Sequence, residues 1–282
     1  KQDIPVRYLL SHQSGLSGWT DSITVEDIYD WDRSVAMLAA QAPLWEPGIK
    51  SGYHAYTFGH LLGEVLRRIT GKSIGTFFRE EVAEPLGADF HIGLAEEHDS
   101  RVAEMIEPEE PEPPETKEYL ESALGKAMKN SSTPVTASQD RSWRAAEIPA
   151  ANGHGNARSV ARITSALACG GSLDGVRLLS MQTIEKSIEE QCYGMDLVLG
   201  MPLRWGLGWG LKSNEMPLGP NPREFYWGGR GGSAVVVDLD TRMSFAYVMN
   251  KMTAGSMGDS RALGPAMALF DAVNHPKQHL SP

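Results

Sequence analysis

The chain has 282 residues, 41% of them hydrophobic and 22% charged, and its 26 Lys and Arg against 36 Asp and Glu give a formal charge of −10. This is globular composition with ample length for a core, enough for two lobes or for one large domain with an inserted lobe. The acidic balance, with no basic stripe to offset it, argues against a nucleic-acid partner, and no run approaches the roughly 18 apolar residues of a membrane helix.

Asp3-Ile4-Pro5-Val6-Arg7-Tyr8-Leu9-Leu10 reads as a capped helix with proline in its first turn. The small residues of Ser11-His12-Gln13-Ser14-Gly15-Leu16-Ser17-Gly18 end it in an irregular loop. Because the chain opens on Lys1 directly at this element, a preceding segment is expected. From Asp21 to Ala40, Ile28, Trp31, Val35 and Leu38 recur at spacings of three or four and predict one helix with an inward face. A Pro- and Gly-punctuated loop runs from Pro43 to Tyr53. Phe58, Leu61, Leu62, Val65, Leu66 and Ile69 mark the clearest helix, stopped by Gly71, and Ser73 caps the next, Ile74 to Val82. Residues 104–117, which contain Glu107-Pro108-Glu109-Glu110-Pro111-Glu112-Pro113-Pro114-Glu115, are too charged and proline-rich to pack and read as a solvated loop or lid.

Helices are predicted again over Arg158 to Ala168, ended by Gly170-Gly171, and over Ser180 to Ile188. After about Trp205 come short β-prone runs, Trp205 to Lys212, Ala234 to Asp238 and Met243 to Met249, before a closing helix over Ala262 to Val273. The expected fold class is α+β. Residues 1–204 would form a mostly helical lobe, and 205–282 the strands and closing helix of an antiparallel sheet flanked by helices.

Several strings mislead. Gly71-Lys72-Ser73-Ile74-Gly75 matches the nucleophile-elbow pattern Gly-x-Ser-x-Gly, but that motif needs a strand before the serine, and here a helix precedes. The same residues hold Gly-Lys-Ser without the first glycine of a phosphate-binding loop, so a helix-to-helix turn capped by Ser73 is preferred. The histidines, His12, His54, His60, His91, His98, His154, His275 and His279, include no His-Glu-x-x-His and no cysteine at ligand spacing. No metal or cofactor is therefore expected, and His275 and His279 read as a solvated tail. Cys169 and Cys192 are too few for a disulfide scaffold, which favours a reducing, cytoplasmic setting and leaves one pairing between them open.

Three stretches make sense together: Ser51-Gly52-Tyr53-His54-Ala55, the loop from Ile148 through Asn152-Gly153-His154-Gly155-Asn156 to Ser159, and Tyr226-Trp227-Gly228-Gly229-Arg230-Gly231-Gly232-Ser233. With Leu9-Leu10-Ser11-His12-Gln13-Ser14-Gly15-Leu16 they resemble, in order and over nearly the whole chain, the serine β-lactamase and penicillin-binding-protein superfamily. Within it they look most like the family VIII carboxylesterases.

The resemblance implies a serine hydrolase with its nucleophile and a lysine on one helix face as Ser-x-x-Lys, completed by a tyrosine from a second loop and a strand-edge tripeptide. Tyr53, between Trp45-Glu46-Pro47-Gly48 and a periodic helix, matches the family's tyrosine and is the candidate proton-transfer group. Where the family often has Tyr-x-Asn, this chain has Tyr53-His54-Ala55, which removes an amide that could hold a β-lactam side chain. Trp227-Gly228-Gly229 stands where the lactamases have Lys-Thr-Gly and matches the Trp-Gly-Gly of the esterases. An apolar wall in place of a carboxylate-attracting lysine favours neutral, short-chain ester substrates. Gly228 and Gly229 would let the backbone approach the substrate, and the N–H of Arg230 would be an oxyanion donor. Asn152 is a candidate pocket residue, with a helix cap as the alternative for it and for Asn156, whereas Ser11, His12 and Ser14 read as groups satisfying backbone at a helix end.

No serine of the chain has a lysine three residues on; Ser122 and Lys126, at a spacing of four, come nearest. Since the family places Ser-x-x-Lys upstream of the stretch resembling Tyr8 to Leu16, the nucleophile pair and the opening strands of the sheet are expected before Lys1. Without that N-terminal segment as partner, the chain is expected to be inactive. The expected function is hydrolysis of short-chain carboxylic esters through an acyl-enzyme. The alternatives are β-lactam hydrolysis or acyl transfer in the same site, and a binding protein that has lost its nucleophile.

Overall fold

The structure is a computed structural model that describes residues 1–109, 116–131, 133–255 and 257–274. The acidic run from Glu110 to Glu115, and the tail with His275 and His279, lie outside the described residues.

Capping chemistry sets most helix ends. The first helix, α1 (Val6–Leu10), follows Pro5. The single helix expected over 21–40 is two, α2 (Val25–Tyr29) and α3 (Trp31–Ala40). Asp30 between them is extended, and its carboxylate accepts the Arg33 N–H, so it ends one helix and caps the next. The apolar spacing survives the break because Ile28 and Leu38 still reach one core, with Trp19, Trp143 and Ile148. The helix α4 (Thr57–Thr70) ends at Gly71 in the left-handed region, φ 73°. Ser73 accepts the Thr76 N–H and caps α5 (Ile74–Phe78), which runs on through a wide turn, Arg79–Ala83, into α6 (Glu84–Leu86).

The strand β1 (Phe90–His91) pairs with β2 (His154–Gly155) across an excursion containing α7 (Lys117–Glu121), α8 (Ala123–Asn130) and α9 (Arg141–Ala145). Asn156 caps α10 (Ala157–Ala168) by accepting the Ser159 N–H. The hairpin β3 (Ser172–Leu173) with β4 (Val176–Arg177), followed by α11 (Met181–Ser187), leads into the main sheet.

That sheet holds β5 (Cys192–Met195), β6 (Pro202–Trp205), β7 (Gly210–Leu211), β8 (Glu224–Gly228), β9 (Ala234–Asp238) and β10 (Met243–Tyr247), antiparallel and in sequential order. It starts at Cys192, ahead of the expected Trp205. Its first strand is an edge with Tyr193 and Met195 exposed, so it carries no apolar alternation to read. Phe225 pairs with Val237 and Tyr226 with Val236. Because successive residues point to opposite faces, Phe225 and Val237 pack with Ala168 of α10 and Ile184 of α11, while Tyr226 and Val236 pack with Phe270 of α12 (Ser260–Asn274). A sheet covered on both faces explains the uninterrupted Ala234-Val235-Val236-Val237 run. Cys169 and Cys192 are free thiols. Among the described residues no helix is long and apolar enough to cross a membrane.

Candidate active site

Tyr53 lies on the loop before α4, Trp205 at the end of β6 and Trp227 in β8. The fold brings them together: the Trp227 Nε1–H donates to the Tyr53 phenol oxygen at 3.1 Å. Trp205 stacks parallel to Tyr53, with 4° between the ring planes, and its ring centroid is 4.7 Å from that of Trp227. Burial pushes the Tyr53 phenol up from its ordinary pKa; the indole N–H, which favours the phenolate, works against that rise, and the nearby Asp196 adds to it. Tyr53 is therefore a neutral phenol at rest, with a neutral donor on the oxygen that would carry charge after proton loss.

The loop is held by Asp196, which follows β5. Its Oδ1 accepts the N–H groups of Tyr53, Val198 and Leu199, each at 3.0 Å, and Leu197 N–H donates to the Ser51 carbonyl at 2.9 Å. Burial and Asp196 push the Cys192 thiol up to about 12, which keeps it a non-nucleophilic thiol beside the site. Neither Asp196 nor Trp205 has a local sequence signal, because each is distant from Tyr53 in the chain and meets it only after folding.

A Ser-His pair does form near Tyr53. Ser14 Oγ is 2.7 Å from His54 Nε2, and His54 Nδ1 is 2.7 Å from the Gly52 carbonyl. The carbonyl can only accept, so Nδ1 carries the ring proton and Nε2 accepts from Ser14. Both side chains are fully buried at 0% exposure, and burial lowers His54 to about 4. A nucleophile that no substrate can reach is a brace: Ser14 holds the His54 ring and the Leu16 N–H and not the end of α1.

In the tripeptide the two glycines differ. A Cβ on Gly228 would lie 2.3 Å from the Met257 carbonyl carbon, so this glycine permits packing against residues 257–258 and is not there for substrate approach. A Cβ on Gly229 would meet only Ser233, at 3.6 Å. The Gly229 N–H donates to the Ser233 carbonyl and the Gly231 N–H to that of Gly255, while Gly231 and Gly232 take positive φ in the turn joining β8 to β9. Arg230, in that turn, reaches the Thr133 carbonyl with its guanidinium, and the Thr133 hydroxyl bonds the Tyr56 phenol, which links the sheet to the helical lobe.

Asn152 corrects the expectation of a pocket residue. Its Oδ1 accepts the Ile148 N–H at 3.0 Å, and its Nδ2 donates to the carbonyls of Trp143 at 2.7 Å and Ala146 at 2.8 Å. With every amide hydrogen engaged and 2% exposure, it staples its own loop and has no donor left for a substrate. Among the described residues, no group of three or more His, Cys, Asp or Glu is placed to hold a metal ion.

Comparison with known proteins identifies the family and the fold. The beta-lactamase family model matches residues 1–266. The esterase/beta-lactamase LipL of Mycobacterium tuberculosis is 34% identical over 262 residues, which cover 89% of this chain and 60% of LipL. The chain thus spans 60% of the length of that curated relative. A solved family VIII carboxylesterase superposes with a TM-score of 0.86 at 43% identity, over 95% of this chain and 72% of that one. A penicillin-binding-protein homolog from Caulobacter crescentus gives 0.85 at 38% identity, over 95% and 71%. EstA from Arthrobacter nitroguajacolicus Rue61a gives a TM-score of 0.87 at 30% identity, over 98% and 74%.

Proposed function

The chain belongs to the beta-lactamase family, and we propose that within it this protein is a carboxylesterase-type serine hydrolase acting on short-chain esters through an acyl-enzyme. The family includes both esterases and lactamases. The observation that carries the esterase reading is the Trp227 Nε1–H donating to Tyr53 at 3.1 Å. The lactamase lysine that Trp227 replaces would bring a positive charge to this oxygen and to the carboxylate of a β-lactam; an indole brings a neutral donor and an aromatic wall. Neutral substrates fit such a wall without an uncompensated charge.

In this reading Tyr53 passes a proton between the nucleophile, the leaving alcohol and the attacking water. The serine and lysine of Ser-x-x-Lys, absent from the 282 residues, come from outside them. Trp227 forms the acyl or alcohol wall, Gly229 leaves room beside it, and the Arg230 N–H is the oxyanion donor. The test is pre-steady-state hydrolysis of p-nitrophenyl acetate and of nitrocefin by the protein carrying Ser-x-x-Lys. A nitrophenol burst equal to the enzyme concentration, with kcat/KM for the ester at least about a hundredfold above that for nitrocefin, supports the reading. The reverse preference would make the protein a lactamase, as the name of LipL allows for that relative. Neither burst nor turnover would leave a binding protein.

A further inference from the structure

Three consecutive amides around Tyr53 are captured by groups distant in sequence. The Gly52 N–H donates to the His12 carbonyl at 2.9 Å, the Tyr53 N–H to Asp196 Oδ1 at 3.0 Å and the His54 N–H to His12 Nδ1 at 3.1 Å. His12 thus holds the residue on each side of Tyr53, once with its backbone and once with its ring. It does so from the left-handed region, φ 59°, a conformation that a non-glycine residue keeps only where its surroundings enforce it.

The His12 ring is also packed against the residues it serves. Its centroid lies 5.1 Å from that of Tyr53, 4.8 Å from Phe58 and 4.3 Å from Trp205. Because a backbone N–H donates to Nδ1, that nitrogen carries no proton, and the neutral ring is protonated on Nε2. Burial, helped by the neighbouring His54, holds the pKa of His12 well below its ordinary value, so the acceptor persists at neutral pH. Residues 51–54 belong to no helix or strand that could fix them otherwise.

We propose that His12 is the positioning residue of Tyr53: its carbonyl and Nδ1 clamp the peptide on both sides, so that the phenol oxygen stays on Trp227 Nε1. This rests on the catalytic reading of Tyr53 and names what keeps that residue in register. A shift of about 1 Å in a proton-transfer group is enough to cost about a hundredfold in rate.

The test compares His12→Asn with His12→Gly in protein carrying Ser-x-x-Lys. Both residues accept a left-handed backbone and both lose the ring contacts with Tyr53, Phe58 and Trp205; glycine also loses the Cβ, and only asparagine keeps an acceptor where Nδ1 was. The clamp predicts that kcat of H12N exceeds that of H12G by at least about tenfold at similar KM. It also predicts crystal structures in which the Tyr53–Trp227 hydrogen bond persists in H12N and is lost in H12G. Equal kcat in the two variants, with that bond intact in both, overturns it. Should H12G not fold, His12→Phe, which keeps a ring without an acceptor, takes its place against H12N. Tyr53→Phe in the same assay separates the two ideas. If it retains kcat, the catalytic reading fails and the crystal structures alone decide the clamp; if it loses kcat while H12N equals H12G, the clamp alone fails.

Discussion

The indole of Trp227 and the phenol of Tyr53, 174 residues apart in the chain, share a hydrogen bond of 3.1 Å at the meeting of sheet and helical lobe. Its direction matters. The indole N–H can only donate, so it would stabilise a Tyr53 phenolate and do nothing comparable for the neutral phenol.

Trp227→Phe keeps a ring and removes that donor. The Tyr53 pKa, already raised by burial, rises further, so less phenolate is available at a given pH. The pH–rate profile for ester hydrolysis shifts to the alkaline side and kcat at pH 7 falls by about tenfold, a loss of one charge-assisted hydrogen bond. An unshifted profile would mean that the bond orients the indole and has no part in proton transfer.

Asn152→Ala separates architecture from catalysis. Truncation leaves the Ile148 N–H and the carbonyls of Trp143 and Ala146 without their partner, costing about 2–4 kcal/mol for buried groups. Urea denaturation should show this loss while kcat of the folded variant stays within about twofold of wild type. A large kcat loss with unchanged stability would return Asn152 to the substrate pocket.

Stability should fall in mild acid. His54 is lowered to about 4 by burial, so between about pH 6.5 and 4 the unfolded chain takes up a proton that the folded one refuses. Stability from this group is complete above its unfolded pKa and is lost as pH falls towards the folded one. His12, His60 and His154, also lowered by burial, act with the same sign. From pH 7 to pH 5, His54 alone removes about 2 kcal/mol from the unfolding free energy. Equal unfolding free energies at the two pH values would mean that His54 is solvated.

What could be read from the sequence was mostly what is local. The α4 helix with its Gly71 stop, the Ser73 and Asn156 caps and the Ala234–Asp238 strand are each decided by a few neighbouring residues, although α4 buries Thr57, Gly59, His60, Gly63 and Glu64 and leaves Ile69 of its apolar stripe exposed. Asp30 shows the limit: one carboxylate capping α3 splits a helix without disturbing the apolar period on either side. The exposed edge strand β5 was missed because Tyr193 and Met195 face out. The resemblance picks out Tyr53 and Trp227, which the fold brings into hydrogen-bond contact, whereas the amide of Asn152 staples its own loop, and an amide that lines a pocket and one that staples a loop look alike as letters. Asp196 and Trp205 were missed for the opposite reason: their contacts with Tyr53 exist only after folding.

Tyr53→Phe tests the central claim most directly, in protein carrying Ser-x-x-Lys. The change removes one hydroxyl and almost no volume, so packing against Trp205 and Trp227 is kept. The account predicts that kcat on p-nitrophenyl acetate falls by about 10²- to 10⁴-fold, the range for a lost proton-transfer group, with unfolding free energy within about 1 kcal/mol of wild type. Wild-type kcat in a well-folded Tyr53→Phe protein would contradict it.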